Sequence, residues 1–316
     1  MKSFRRLKIL FSAVSLSFAF SITTLAQTES ETAQKNLQAG LQLIQEQKFA
    51  EAIKPLQLVL SLENNNDTAR KALAVALVGV DRFSEASREI AKLLARNPKD
   101  EKLLEFSAQS FMLQKRYAEA EKVLRRRLSL GSETAELWAQ TGDALDAQKN
   151  TAEAITAYQK AVALNTDSIT LRYALGALFW KAFRYDEAEK VFLEILRRQP
   201  REPRASFNLG DIYLTNGDAA KAVPFLETAA KEFPNEYDTR FALGRAYLGV
   251  NKIKEAIAEL QAAVTINDKI AEGFFQLGRA LQRDNRKEEA KAALQKAQDL
   301  QRQKLASESI EKRKAN

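Results

Sequence analysis

The chain has 316 residues, 45% of them hydrophobic, with 49 lysines and arginines against 41 acidic residues. It contains no histidine and no cysteine, which excludes Ser-His-Asp and Cys-His nucleophilic sites, thiolate metal sites and disulfide frameworks. The formal charge of +8 comes from interspersed signs, without the persistent lysine–arginine stripe that nucleic-acid binding requires.

Lys2, Arg5, Arg6 and Lys8 open the chain, and no acid precedes Glu29. Residues 9–25 are apolar or hydroxylated and uncharged, and Thr24-Leu25-Ala26 supplies small residues before a cleavage point. This is the layout of a secretory signal peptide over residues 1–26, so export to the periplasm or the exterior is expected. Ser12, Ser15, Ser17, Ser21, Thr23 and Thr24 dilute the apolar run, which disfavours a span needing about 20 predominantly apolar residues. Retention at the inner membrane through residues 9–25 is the alternative. Residues 27–32 read as a short polar linker.

From residue 33 to residue 304 an alanine recurs every 34 residues: Ala52, Ala86, Ala120, Ala154, Ala188, Ala222, Ala256 and Ala290. Twelve residues ahead of each stands Gly40, Ala74, Ala108, Gly142, Gly176, Gly210, Gly244 or Gly278. An unbroken period of this length signifies stacked supersecondary units. The units are 33–66, 67–100, 101–134, 135–168, 169–202, 203–236, 237–270 and 271–304.

In the unit 203–236, Phe207, Gly210, Tyr213 and Leu214 have helical spacing. Asn216-Gly217-Asp218 signals a turn, and Ala222, Phe225, Leu226, Ala229 and Ala230 trace a second helix that ends before Pro234. Six of the eleven glycines share the Gly210 phase. Glycine inside a helix costs about 1 kcal/mol relative to alanine, so close packing is the expected compensation. Gly210 and Ala222 should let the two helices approach, with Tyr213 and Leu226 filling the flanks. Residues 305–316 read as a C-terminal helical cap, mobile from Ser309 onward.

Trp138, Gly142, Leu145, Ala154, Tyr158 and Ala161 fall in one unit; Leu175-Gly176, Leu209-Gly210, Leu243-Gly244 and Leu277-Gly278 repeat a pair; Pro98, Pro200 and Pro234 close units. Together they resemble the tetratricopeptide repeat, with Gly40, Ala52, Trp138, Gly142, Gly176, Gly210, Ala222, Gly244 and Gly278 as its structural signature. The resemblance implies an all-α α-solenoid, a right-handed superhelix of helix-turn-helix hairpins whose first helices line the concave side. It also implies a non-catalytic scaffold, without cofactor or metal, although one fold carries many tasks. The pattern is least regular at 125–142, where Arg127 follows Arg125 and Arg126 and Gly131-Ser132 replaces Asn-Pro. Arg127 reads either as a snorkelling side chain or as an anion contact. The family's carboxylate clamp is not matched, since Lys71 and Asn208 are isolated.

One first-helix phase reads Leu37, Lys71, Glu105, Ala139, Tyr173, Phe207, Phe241 and Phe275. Four residues on come Asp211, Arg245 and Arg279, and one turn further Trp180, Lys181, Leu214, Leu248 and Arg283. Tyr173, Phe207, Phe241, Phe275, Trp180, Asp211, Arg245, Arg279 and Arg283 are therefore the candidate partner-binding groove. The rings supply area and the arginines grip carboxylates or carbonyls. Alternatively the rings belong to the core between first helices, and Asp211 pairs with Arg245 across units. The expected function is an exported scaffold holding a protein or peptide; the alternative is an accessory of polysaccharide export contacting glycan. Nucleic acid is not expected, a membrane only if the leader stays uncleaved, and the oligomeric state is left open.

Overall fold

The computed structural model describes residues 28–315, with side chains as far as Glu308. The signal peptide expected over residues 1–26 and its cleavage point lie outside the described residues. The described residues form helices joined by short turns, with no strand among them. They divide into two compact units, one ending at Asn150 and one beginning at Thr151.

The first unit holds α1 (28–45), α2 (Phe49–Leu62), α3 (Asp67–Val78), α4 (Phe83–Arg96), α5 (Glu101–Leu113), α6 (Tyr117–Leu128) and α7 (Ala135–Ala147). The second holds α8 (Thr151–Leu164), α9 (Ile169–Lys181), α10 (Tyr185–Arg198), α11 (Pro203–Thr215) and α12 (Ala219–Glu232), then α13 (Tyr237–Gly249), α14 (Ile253–Ile266), α15 (Ala271–Arg283) and α16 (Lys287–Ala315). From α3 on, each first helix begins at the residue that opens a 34-residue period.

Residues 28–32 are not a linker but the first turn of α1. They contain no helix breaker. Thr32 Oγ1 donates to the Thr28 carbonyl at 2.7 Å, Asn36 Nδ2 donates to the Thr32 carbonyl at 2.8 Å, and the adjoining Ala33 is buried. At the other end α16 runs without a break to Ala315.

The first helices α3, α5, α7, α9 and α11 start on side-chain caps, whereas α13 and α15 do not. Asn66, Asp100, Thr134 and Ser168 recur at one phase and accept the backbone N–H groups of Ala69, Leu103, Leu137 and Leu171. Each satisfies one of the orphan donors of a helix start, worth typically about 1 kcal/mol. First helices end in a left-handed residue at a second phase: Gln47, Asp81, Lys115, Lys149, Phe183, Gly217, Asn251 and Asn285 all have φ between 57° and 81°. The backbone closes the turn. In one such turn Arg184 N–H donates to the Phe179 carbonyl at 2.9 Å and Phe183 N–H to the Trp180 carbonyl at 2.9 Å, the paired bonds of a Schellman ending. The residue after the left-handed position then pairs forward with an acid in the next helix: Arg82 with Glu85, Arg116 with Glu119, Arg184 with Glu187, Arg286 with Glu289. These arginine hydrogen bonds hold all four carboxyls below the usual carboxylate range.

Within a hairpin, the small residue of the first helix receives the large residue of the second. A Cβ on Gly40 would lie 2.6 Å from Leu56, on Gly176 2.8 Å from Phe192, on Gly244 2.6 Å from Leu260 and on Gly278 2.7 Å from Leu294. Leu226 seats on Gly210 in the same way. Leu226 therefore fills the notch directly and does not flank a Gly210–Ala222 contact. The alanine phase contributes backbone proximity, since the Cβ position on Gly278 lies 3.3 Å from the Ala290 carbonyl oxygen. Ala52 and Ala222 are fully buried, as are the large residues Leu56, Phe192 and Leu226.

Three arginines of first helices, at the phase where Trp138 stands in its own unit, reach an acid on the second helix of their hairpin. Arg70 is only 2% exposed and binds Glu89 and Asn64. Arg172 pairs with Glu194 at 3.0 Å and Arg240 with Glu259 at 2.7 Å. Trp138 itself is half-buried, its Nε1 donating to Glu133 Oε2 at 3.1 Å. Arg127 reaches back to Glu105 at 3.2 Å and lies 3.9 Å from Glu101, so it is paired inside its own unit.

Candidate partner-binding face

In the second unit, α9, α11, α13 and α15 lie side by side in chain order, each first helix touching the next. Side chains cross these seams. Trp180 Nε1 at the end of α9 donates to Asp211 Oδ2 on α11 at 3.1 Å. Asn208 Nδ2 donates to the Tyr173 hydroxyl at 3.1 Å, and the Arg204 guanidinium lies 4.8 Å from the Tyr173 ring centre. Arg283 donates to the Leu248 carbonyl at 3.0 Å and to Asn251 Oδ1 at 2.7 Å.

The aromatic ladder divides between core and surface. Tyr173, Phe207 and Phe241 are half-buried. Tyr173 tilts against Phe192 of α10 at 5.8 Å, and Phe241 stacks on Tyr237 at 5.6 Å while packing on the core around Leu260. Phe275 is 44% exposed and Trp180 is 39% exposed. The two open rings stand on α15 and α9, the outer helices of the four.

Asp211 does not pair with Arg245. It accepts from Trp180 instead, and burial raises its carboxyl above the ordinary value, only partly offset by the Trp180 hydrogen bond and the Arg245 charge. Arg245 lies over the Phe241 ring at 5.7 Å and Arg279 over the Phe275 ring at 5.9 Å. Arg245, Arg279 and Arg283 come together, with Leu248, Gly249 and Gln276, around a pocket of about 340 Å³. Among the described residues no carboxylate lies within ion-pair distance of any of the three.

The sequence did not single out Phe183, the most exposed large apolar residue of the second unit at 78%. It follows Trp180 by one turn, and its ring meets Tyr185 edge-on at 6.2 Å. Its place in the Asn216-Gly217-Asp218 turn phase was the available signal. No cluster of acids that could hold a metal ion exists among the described residues, and none of their helices is long and apolar enough to cross a membrane.

Tetratricopeptide-repeat family models match residues 43–109, 142–182, 173–237, 213–272 and 271–304. The chain belongs to the tetratricopeptide repeat family and is an all-α solenoid. The matches leave 110–141 between them, which includes the Arg125–Arg127 run. Similar solved structures include the C-terminal part of a tetratricopeptide-repeat protein from Cytophaga hutchinsonii, at 19% identity and a TM-score of 0.60, covering 72% of this chain and 93% of that one. MamA from Desulfovibrio magneticus RS-1 is similar over 54% of this chain and 96% of its own, at 22% identity and a TM-score of 0.51. YrrB, described as a tetratricopeptide-repeat protein with an unusual peptide-binding site, is similar over 60% of this chain and 97% of its own, at 22% identity and a TM-score of 0.51. No curated protein sequence matches the chain.

Proposed function

We propose that this protein is a non-catalytic adaptor that holds a segment of a partner protein on the first-helix face of its second unit. The observation that carries the reading is the composition of that face. It presents open rings at Trp180 and Phe275 and arginines at Arg245, Arg279 and Arg283, none paired with a described carboxylate. Rigid rings supply contact area at low entropic cost, and arginine forks bind acceptors on a peptide. The peptide-binding site of YrrB, a protein of similar fold, supports the same use of the solenoid.

The reading includes export. The basic start, the uncharged run over residues 9–25 and Thr24-Leu25-Ala26 support a cleaved signal peptide. N-terminal sequencing of the mature protein should begin at Gln27; an intact Met1 on a membrane-bound form would favour the anchored alternative.

The binding reading is tested by panning a displayed random-peptide library against the purified chain and against a Trp180→Ala/Phe275→Ala variant. Enriched peptides that bind wild type and lose at least about tenfold affinity for the variant are expected, the loss of two exposed anchor rings. A library that enriches nothing, or a glycan array that binds where peptides do not, would overturn it.

A further inference from the structure

We propose that the pocket formed by Arg245, Arg279 and Arg283 is a carboxylate-binding site, so that the segment held on this face is an acidic one. This rests on the adaptor reading and specifies its ligand. Three arginines line one pocket of about 340 Å³ that bridges α13 and α15. Like charges gathered with no carboxylate in ion-pair contact repel one another, and an anion relieves that repulsion while gaining charge-assisted hydrogen bonds.

Among the described residues, most other arginines of the second unit are paired with acids, Arg197 and Arg201 excepted. Arg172, Arg184, Arg198, Arg240 and Arg286 each have an acid within 4 Å. The three pocket arginines touch only neutral groups. Arg283 is fixed by the Leu248 carbonyl and Asn251, Arg279 reaches Gln276 at 3.4 Å, and Arg245 rests on the Phe241 ring. Arg283 is thus oriented in advance, with donors left over for a ligand.

The surroundings favour a polypeptide over a phosphate backbone. The pocket is walled on one side by Leu248, and the Phe241 and Phe275 rings carry two of its arginines. A ligand must therefore present a carboxylate beside an apolar group. On the neighbouring first helix, α11, stands the Asp211 carboxyl, which would repel a continuous run of phosphates. A peptide can alternate its chemistry along such a face; a nucleic-acid strand cannot. The pocket differs from the lysine–asparagine clamp of the family in residue type and position.

The test repeats the library selection with the full chain and with an Arg245→Gln/Arg279→Gln/Arg283→Gln variant. Wild type should enrich peptides carrying Asp or Glu next to Leu or Phe, and the variant should lose the acidic preference but keep the apolar one. The best peptide is then titrated as the free acid, as the C-terminal amide and with its acids changed to amides. Loss of binding by the acid-to-amide form assigns the pocket to side-chain carboxylates; loss by the C-terminal amide alone assigns it to a chain terminus. An Arg279→Lys variant, which keeps the charge but not the fork, should weaken binding severalfold while its melting temperature stays at the wild-type value. Peptides enriched without acids, or tighter binding of a single-stranded oligonucleotide or inorganic phosphate than of the acidic peptide, would overturn the assignment and leave the adaptor reading standing. Failure to enrich any peptide would remove both.

Discussion

Leu226 sits in the notch left by Gly210, its branched end occupying the space a Cβ on that glycine would need. The two residues lie one hairpin turn apart, and the same partnership recurs between Gly244 and Leu260 and between Gly278 and Leu294. The contact explains why glycine is retained inside a helix despite its propensity cost of about 1 kcal/mol.

Substitution at this notch should therefore depend steeply on size. Ala74 and Ala108 occupy the same phase in the first unit, opposite Ile90 and Leu124, and all four are buried. Gly210→Ala should already lose about 1 kcal/mol, the forced displacement of the buried Leu226 outweighing the propensity gain. Gly210→Leu should lose about 1–3 kcal/mol through overpacking. Denaturant unfolding of the two variants checks this; equal stability of wild type and Gly210→Leu would mean that the notch is not a packing contact.

Phe183 holds a left-handed backbone, φ 59°, with a side chain that is almost entirely in water. For an ordinary residue that conformation costs roughly 1–2 kcal/mol, and asparagine tolerates it better. Asn251 and Asn285 already fill the position in later hairpins. Phe183→Asn should raise stability by about 0.5–1 kcal/mol, read as a higher denaturation midpoint with unchanged slope.

The Tyr213 hydroxyl donates to Glu189 Oε1 at 2.7 Å. Burial, reinforced by that carboxylate, pushes the phenol from 10.0 up to about 12. The neutral phenol is the form favoured by folding. Its contribution is thus complete below pH 10.0 and disappears as the pH climbs through about 12. Tyrosinate absorbance should show a group titrating late, coincident with loss of helicity, and Tyr213→Phe should remove that component from the alkaline melting profile.

Asp211 responds in the same sense, in the carboxylate range. Burial raises its carboxyl, so ionisation is less favourable in the folded chain than in the unfolded one. The stabilising neutral form is present below the ordinary carboxylate value and is lost as the pH rises through the folded value. Asp211→Asn should melt higher than wild type at neutral pH and show little difference in acid. Trp180→Phe removes a hydrogen bond that lowers the carboxyl, and carbon-detected NMR titration should find Asp211 titrating higher still.

The period and the identity of the helices were legible because an alanine or glycine every 34 residues has no other physical use. The helix starts were written in Asn66, Asp100, Thr134 and Ser168, whose short oxygens cap by themselves. The left-handed turn was not legible in Gln47, Lys115 or Phe183, none of which prefers that conformation; the hairpin's backbone bonds impose it. At the candidate face, residues of one phase looked equivalent. They differ because Phe241 finds Tyr237 to stack on and Tyr173 finds Phe192, whereas Phe275 remains 44% exposed. The arginine pocket was half visible: its three members could be named, but not that Arg245 leaves Asp211 to the Trp180 indole.

Because amide-to-carbonyl bonds define each hairpin bend, the side chain at its apex carries little duty to the fold, Asn251 with its bond from Arg283 excepted. Every period thereby offers one site where selection can try a ring, a charge or an amide at the backbone cost of roughly 1–2 kcal/mol alone. Gln47, Lys115, Phe183 and Gly217 already sample that freedom. New specificities could arise along this row of apices while the helices beneath stay as they are.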